Sequence, residues 1–242
     1  MTNRYDTAVT RFSPNGHLFQ VDYAFEAANR GACALGVKTK DSVILGVERK
    51  VIPKLQESST IKKIAHIDKH LAMTYAGLTS DARQLIQGII LKCQQYAFDY
   101  DQKPTVNYIA KYVANIKQEY TQVGGRRPFG LLSLLIGFDQ SGVPMLYLME
   151  PSGSYSVWKA KAIGRGTKGA MEVLEKNYKD GLSHDDGIRL AIEALMEVAE
   201  GGHKNIEIAY MKNDEKLIFL SEDDIKKVSD EIEKEKQPAA GK

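Results

Sequence analysis

A carboxylate and two lysines at the ends of predicted strands are the residues best placed to do chemistry. Glu48 and Lys50 end one strand, and Lys63 lies just before the next. A carboxylate and a lysine facing a nucleophile would form an amine-type general base. Charged residues at strand ends are more often simply solvated than catalytic. Cys33 is enclosed by alanines, and no serine or threonine has a histidine partner nearby. The residues themselves therefore argue against an active site.

Two glycine-rich stretches are the next candidates. Gly164, Arg165 and Gly166 precede a predicted helix, whose amino terminus could attract an anion. The stretch lacks the spacing of a nucleotide-binding loop, and a tight strand-to-helix turn explains it better. Residues 124–130, GGRRPFG, place Arg126 and Arg127 together. These arginines could donate to a carboxylate of a substrate or of a neighbouring protein, or could simply be exposed.

Composition excludes several classes of function. The chain has 242 residues, 26% of them charged, and a formal net charge of +2, with lysine and glutamate scattered throughout. No basic field suited to nucleic acid follows from this pattern. Cys33 and Cys93, each in an apolar run, are typical of buried free thiols in a reducing compartment. The five histidines are dispersed, so we expect neither a metal site nor a cofactor.

The chain also lacks the features of a membrane or secreted protein. Its amino terminus is polar, and the longest apolar stretch, residues 131–138, is too short to span a bilayer. The charged final segment, EKEKQPAAGK, is more typical of a solvated end than of a targeting or membrane patch. We therefore expect a soluble cytosolic protein that contacts no membrane.

Hydrophobic periodicity predicts alternating groups of strands and helices. Short connections predict strands that pair as hairpins at residues 32–38 with 42–48, 64–67 with 71–76, 131–138 with 143–149, and 206–211 with 216–220, and one further strand at 154–163. Capping residues and apolar stripes predict helices that begin at Thr79 or Ser80, after Pro104 and Thr105, at Thr167, at Ser183 and at Ser221. This order predicts a single α/β domain with antiparallel sheets between paired helices, preceded by a short extension.

The extension carries the most specific pattern in the chain. Residues 5–24, YDTAVTRFSPNGHLFQVDYA, resemble almost position for position the amino-terminal signature of the α-type subunits of the 20S proteasome. Counterparts follow along the rest of the chain, including GACALGVK, SSTIKKI, YAGLTSDAR and GGRRPFG. By this resemblance the chain is identified as a member of that family. The family implies an Ntn-hydrolase-like four-layer αββα sandwich with two antiparallel sheets and an amino-terminal helical extension.

The resemblance also implies that the chain is not an enzyme. In the related β-type subunits a threonine with a free amino group is the nucleophile. The matching position here is Ala32, which has no hydroxyl and whose nitrogen lies within a peptide bond. Glu48 and Lys63 match the carboxylate and lysine that serve that threonine. No catalytic residue is therefore expected.

The family further implies a gate. Seven α-type subunits form a ring whose amino-terminal tails close a pore, and Tyr5, Asp6, Pro14 and Tyr23 match the residues that hold those tails in the open arrangement. Residues 17–29 should form an amphipathic helix with Leu18, Val21 and Ala24 or Phe25 inward. The resulting division of the chain is a gate tail and helix at 1–30, a sandwich domain at 31–236 and a flexible tail at 237–242.

A pocket for activator tails is the second implied site. Lys63 matches the lysine that receives a carboxy-terminal carboxylate, and Leu18, Gly31 and Gly77 match other lining positions. Ala32 and Cys33 depart from the usual Ser-Thr pair, which removes two hydroxyls near the pocket floor, and Asp22 stands where glutamate is more usual. Arg126 and Arg127 are assigned to a subunit interface.

The implied partners are other α-type subunits as ring neighbours, β-type subunits of the inner ring, activators with carboxy-terminal tails, and unfolded proteins in transit. The implied role is ubiquitin-dependent protein degradation in the cytoplasm and nucleus. Two other classes of function stay open from the residues alone. One is a self-processing threonine peptidase, which needs a Thr or Ser after a glycine near residue 31; the other is a stand-alone binding module that uses Arg126 and Arg127.

Overall fold

A computed structural model describes residues 7–49, 55, 62–213 and 215–236 of the chain. Within these ranges two five-stranded antiparallel sheets lie between two layers of helices. The alternation of hairpins and helix pairs along the sequence produces this arrangement, because each sheet has one face toward its partner and one toward its helices.

The first sheet has the strand order β10-β9-β2-β1-β8. Its strands are β1 (Ala34–Lys38), β2 (Ser42–Glu48), β8 (Ala160–Ile163), β9 (Ile206–Lys212) and β10 (Ile218–Phe219). The predicted β1–β2 hairpin is confirmed: the Thr39 N–H donates to the carbonyl of Ser42 at 2.9 Å. All residues of β2 are buried, which places it in the middle of the sandwich.

The second sheet has the order β3-β4-β5-β6-β7. Its strands are β3 (Ile64–Asp68), β4 (Leu71–Gly77), β5 (Leu131–Phe138), β6 (Pro144–Met149) and β7 (Tyr155–Val157). The β5–β6 hairpin closes as its sequence predicts, with Gly142 at φ +77° and the Asp139 carboxylate accepting from two turn N–H groups. Every residue of β5 is buried, since both faces of this central strand are covered.

The helices divide between the two outer faces. The second sheet is covered by α2 (Thr79–Tyr100) and α3 (Val106–Gln122), and the first by α4 (Thr167–Asn177), α5 (His184–Met196) and α6 (Glu222–Lys236). Side chains of β2 and β5, among them Leu45 and Leu134, form the core between the sheets. The four-layer αββα sandwich is therefore confirmed.

The amino-terminal helix, α1 (Phe19–Asn29), lies against the second sheet. Its buried residues are Val21, Ala24 and Ala28, and Phe25 is partly buried against the core between the sheets. Two of the predicted inward positions are thus confirmed, whereas Leu18 precedes the helix and is only half-buried. The helix begins two residues later than predicted.

The strand predicted at residues 154–163 is wrong as a single element. The structure divides it into β7 of the second sheet and β8 of the first. Between them the chain crosses from one sheet to the other: the Trp158 N–H donates to Leu146 O at 2.9 Å, and the carbonyl of Lys159 accepts from Lys38 N at 2.8 Å. The residue types show no break between Val157 and Ala160, so the sequence pattern alone does not reveal the crossing.

The predicted helix caps are confirmed at three helices and wrong at one. Thr105, Ser183 and Ser221 each accept a hydrogen bond from the N–H three residues on, as the sequence predicts. The cap predicted at Thr79 or Ser80 is wrong. Thr79 is the first residue of α2, and Leu78 occupies the cap position without a side-chain hydrogen bond.

Candidate functional site

The buried carboxylate of Glu48 is the centre of the candidate site. It lies at the end of β2, and its side chain is only 4% exposed. One oxygen, Oε2, accepts from the backbone N–H of Cys33 at 3.1 Å, and the other, Oε1, accepts from Nη2 of Arg165 at 2.9 Å. Because both oxygens already have donors, the carboxylate is used as an internal link between β2, the start of β1 and the turn after β8.

Cys33 lies beside this carboxylate, and its thiol is held in the protonated form. Cys33 is fully buried. Burial, reinforced by the negative charge of Glu48, raises the pKa of Cys33 to about 12, against the weaker opposing effect of Lys63 and Arg165. The thiolate is the nucleophilic form of cysteine, so this residue is unsuited to catalysis at neutral pH. The prediction of a buried free thiol is confirmed here and at Cys93, whose pKa burial also raises to about 12.

Lys63 reaches the same place from the start of β3. Its ammonium donates to the carbonyl of Ala32 at 3.0 Å and lies 5.9 Å from the centre of the Tyr75 ring. The structure therefore brings together Glu48 and Lys63, which the sequence singled out, around Ala32. At that position the side chain is a buried methyl group. Lys50, the third candidate, lies outside the described residues.

Gly31 and Gly77 meet back to back next to Ala32. A Cβ atom on Gly31 would lie 2.1 Å from the backbone nitrogen of Gly77. A Cβ on Gly77 would lie 2.2 Å from the carbonyl oxygen of Gly130, and Gly77 has φ +123°, a conformation that side chains disfavour. The resemblance assigned these glycines to the lining of the activator-tail pocket, and that assignment stays a prediction. The structure shows that contacts within the chain's own backbone already require glycine at both positions.

The stretch from Gly164 to Gly166 is a tight turn between β8 and α4, as the sequence favoured. Gly164 and Gly166 have φ of +90° and +72°. The Arg165 N–H donates to Gly31 O at 2.7 Å, and its guanidinium contacts Glu48 and, at 3.5 Å, Glu200. These contacts of Arg165 could not be predicted from the sequence, because Glu48 and Glu200 lie 117 and 35 positions away.

The positions matched to the gate are only partly described. Tyr5 and Asp6 lie outside the described residues. Pro14 is exposed in a turn in which the Gly16 N–H donates to Ser13 O at 2.9 Å and His17 N–H to Ser13 Oγ at 3.0 Å. Tyr23 is 48% exposed on α1. The gate and tail-pocket assignments, Leu18 included, stay predictions.

Arg127 forms an ion pair with a carboxylate of the same chain. Its two terminal nitrogens donate to the two oxygens of Asp81 at 2.7 Å each, and the Gly130 N–H adds a third bond at 3.0 Å. Arg126 lies over the Tyr120 ring at 4.9 Å and 3.8 Å from Glu119. Both arginines thus help to hold the loop before β5 against α2 and α3. Their assignment to a subunit interface stays a prediction.

Sequence reasoning missed a buried lysine. Lys117 of α3 is fully buried, and its ammonium contacts Leu131 O, Ser133 Oγ and Met149 O at 2.9–3.1 Å. Burial lowers its pKa to about 7, against the opposing charge of Glu150. A signal did exist, since Lys117 stands four residues after Val113 on the apolar stripe of α3.

The described residues bear on two further kinds of site. In those ranges no cluster of three or more His, Cys, Asp or Glu side chains is placed to hold a metal ion. Among the described helices, none is both long and apolar enough to cross a membrane.

Two antiparallel sheets between helical layers, with a carboxylate and a lysine converging where β1 begins, define the class of Ntn-hydrolase-like sandwiches. Comparison with known proteins specifies the family. The proteasome subunit family model matches residues 28–211, and the model of the N-terminal signature of A-type proteasome subunits matches residues 5–27. The chain therefore belongs to the proteasome subunit family, as an α-type member of the 20S core.

Relatives from distant organisms match almost the whole chain. It is 50% identical over 234 residues to the proteasome alpha type-7 subunit of Dictyostelium discoideum, covering 97% of this chain and 93% of the relative. It is 48% identical over 241 residues to the alpha type-8 subunit of Mus musculus, with 99% and 96% covered. The alpha type-7 subunit of Solanum lycopersicum is 50% identical over 237 residues, with 98% and 91% covered. The segments GGRRPFG, LEKNY and WKAKAIGRG indicated likeness to type-7, which these relatives support.

Proposed function

We propose that the chain is a non-catalytic subunit of the outer ring of the 20S proteasome, where it helps to gate substrate entry and to dock activators. Its neighbours are other α-type subunits, with β-type subunits beneath and unfolded proteins passing through the pore. Its role is to support ubiquitin-dependent protein degradation in the cytoplasm and nucleus. The α-type signature at residues 5–27 supports the ring assignment.

The observation that carries the non-catalytic role is the environment of Ala32. A methyl group occupies the position that matches the nucleophile of β-type subunits, and Lys63 donates to the carbonyl of the same residue. Glu48 has both oxygens engaged by Cys33 N–H and Arg165. A base without a hydroxyl or an accessible thiolate has nothing to activate.

Intact mass and a covalent probe test this inertness. We expect the purified chain to begin within residues 1–5 and to gain no mass from an electrophile that acylates amino-terminal threonines. A catalytic β-type subunit serves as the positive control. Cleavage after Gly31, or stable acylation of the chain, would replace the proposal with the self-processing peptidase.

Truncation of residues 1–12 in the assembled particle tests gating. If this tail contributes to the closed pore, its loss should raise basal hydrolysis of small peptides. Removal of residues 237–242 is the matched control and should leave the rate unchanged. An unchanged rate after the amino-terminal truncation would remove the gating role from this tail.

Lys63→Ala tests activator docking in the same particle. Loss of a positive charge should weaken binding of an activator whose tail ends in a free carboxylate. Lys69→Ala, in the exposed β3–β4 turn, is the matched control. Undiminished binding of the activator would remove Lys63 from the docking site.

A stable monomer in native mass spectrometry, under conditions where the other subunits are present, would favour the stand-alone binding module.

A further inference from the structure

A tight turn at residues 13–17 precedes α1 and has an exposed tip. The Gly16 N–H donates to Ser13 O at 2.9 Å, and the Ser13 N–H donates to His17 O, also at 2.9 Å. Gly16 has φ +80°, in the left-handed region with which turns of this kind close. Ser13 is 8% exposed, whereas Asn15 and Gly16 are exposed. The base of the turn is therefore anchored, and its tip is in contact with water.

The tip places an asparagine directly before a glycine. Asn15 is the one asparagine of the 242-residue sequence that glycine follows. The backbone nitrogen after an asparagine can attack the side-chain carbonyl carbon, because the product is a five-membered succinimide ring. A side chain on the second residue hinders this attack, and glycine has none. Apart from the adjacent residues, no atom lies within 4 Å of the position that a Cβ of Gly16 would occupy, so the surroundings do not hinder it either.

We propose that Asn15 is a site of spontaneous deamidation. The Gly16 nitrogen forms a bond to Cγ of Asn15, the Cγ–Nδ2 bond breaks, and the amide group leaves as ammonia with the proton that the Gly16 N–H gives up. Water then opens the succinimide at either of its carbonyl carbons, which leaves aspartate or isoaspartate at position 15. Water is the only co-reactant. The proposal does not depend on the proposed ring and gating role.

The folded turn slows this reaction but does not prevent it. The Gly16 nitrogen is nucleophilic only after it loses its proton, and in the closed turn that proton is directed to Ser13 O. Reaction therefore requires the turn to open, which also releases the bond from the His17 N–H to Ser13 Oγ at 3.0 Å. An exposed turn can open locally while the sheets stay folded. We expect the reaction to be slower in the folded chain than in an unstructured peptide of the same sequence.

The two products should affect α1 differently. Aspartate leaves the main chain unchanged and adds a negative charge four residues before Phe19, the first residue of α1, where the positive end of the helix dipole favours it. Isoaspartate inserts a methylene group into the main chain at position 15. The N–H of Gly16 and the carbonyl of His17 then no longer align with Ser13. Isoaspartate should therefore loosen the turn and the first residues of α1.

Peptide mass spectrometry of the full chain, incubated at 37 °C and pH 8, tests the proposal. Trypsin releases residues 12–30 as one peptide, which contains both Asn15 and Asn29. Deamidation adds about 1 Da, and fragmentation of the peptide assigns the gain to one of the two residues. We expect the gain at Asn15 and none at Asn29. Methylation by an isoaspartyl methyltransferase should show isoaspartate in the same peptide.

Matched variants and a synthetic peptide separate the causes. Gly16→Asp retains a residue type that tolerates the left-handed region, and its side chain should slow deamidation about tenfold. Asn107→Gln, an exposed position on α3, should leave the rate unchanged. A blocked peptide of residues 11–18 should react faster than the folded chain.

Three outcomes would overturn the proposal. The first is equal mass gain at Asn15 and Asn29, and the second is a rate in Gly16→Asp that equals that of the unsubstituted chain. The third is a folded chain that gains no mass after the peptide of residues 11–18 has reacted completely. Hydrogen exchange of the isoaspartate form tests the effect on α1: exchange at its first residues should be faster, and unchanged exchange would show that the turn does not hold this end of the helix.

Discussion

Arg165 and Glu48 form an ion pair between a half-exposed cation and a buried anion. Nη2 of Arg165 lies 2.9 Å from Oε1 of Glu48, with side-chain exposures of 51% and 4%. The pair joins the turn before α4 to the end of β2. Its two members are not equivalent, because the arginine can return to water when its partner is lost and the carboxylate cannot.

Removal of the arginine should therefore cost more stability than removal of the carboxylate charge. We expect Arg165→Met to lower the free energy of unfolding by about 2–3 kcal/mol, since it leaves a buried carboxylate short of a donor. Glu48→Gln should cost about 1 kcal/mol, because the amide oxygen can still accept from Cys33 N–H. Urea unfolding at pH 7 measures both. Equal losses would contradict the asymmetry.

The glycine contact predicts a strong and local sequence requirement. Gly31→Ala and Gly77→Ala each force a Cβ into backbone atoms at 2.1–2.2 Å, so both variants should fail to fold or should unfold at much lower temperature. Gly88→Ala is the control: outside the neighbouring backbone of the helix, no atom lies within 4 Å of the added Cβ, and the helix α2 should gain roughly 0.5–1 kcal/mol. Thermal unfolding compares the three. Normal stability of Gly31→Ala would contradict the packing described above.

Lys117 predicts that stability rises with pH above neutrality. Burial lowers its pKa to about 7 in the folded chain, whereas the ordinary value is 10.5. Between these values the unfolded chain binds the extra proton, so the free energy of unfolding increases with pH. The stabilisation that comes from the neutral, buried amine is fully present above the pKa of Lys117 in the unfolded chain. It is lost as the pH falls through the pKa in the folded chain.

Urea unfolding between pH 6.5 and 9.5 measures this dependence. Lys117→Met should flatten the rise, and Lys111→Met, an exposed position on the same helix, should preserve it. Identical slopes in the wild-type chain and Lys117→Met would show that the amine is not the titrating group.

Asp81 predicts a pH dependence of the same sign as that of Lys117, but in the acid range. Burial alone would raise the pKa of Asp81, but hydrogen bonds from Arg127 and the Gly130 N–H outweigh it and hold the pKa below the ordinary 3.8. This contribution to stability is present above the unfolded pKa and is lost as pH falls through the folded one. Unfolding measurements from pH 5 to 2 should show a smaller loss for Asp81→Asn than for the wild-type chain. Asp99→Asn, an exposed position at the end of α2, should behave as wild type.

Local patterns predicted most of the fold. Paired strands with short turns, such as β5 and β6 around Asp139, have a periodicity and turn chemistry that depend only on neighbouring residues. The division of residues 154–163 was missed because the choice between two sheets is made by distant partners. Leu146 and Lys38 fix the crossing at Trp158 and Lys159, and neither can be recognised from the segment itself.

Only part of the candidate site was predicted, again because contacts between distant residues cannot be recognised from local sequence. Glu48 and Lys63 were found because both stand at strand ends, and residues at adjacent strand ends can converge. Arg165 and Asp81 were missed, since their partners lie 117 and 46 positions away and follow from the packing of whole layers. The resemblance singled out Gly31 and Gly77, but only the structure shows the backbone contacts that require glycine at both positions.

The bonds around Ala32 have a consequence for any attempt to restore chemistry here. A hydroxyl introduced by Ala32→Thr would meet a carboxylate whose two oxygens already have donors and an ammonium that already donates to Ala32 O. Its amino group would still be an amide. One substitution therefore cannot rebuild a catalytic centre. Glu48 and Lys63 are engaged in hydrogen bonds that stabilise the fold, and these bonds would first have to be broken.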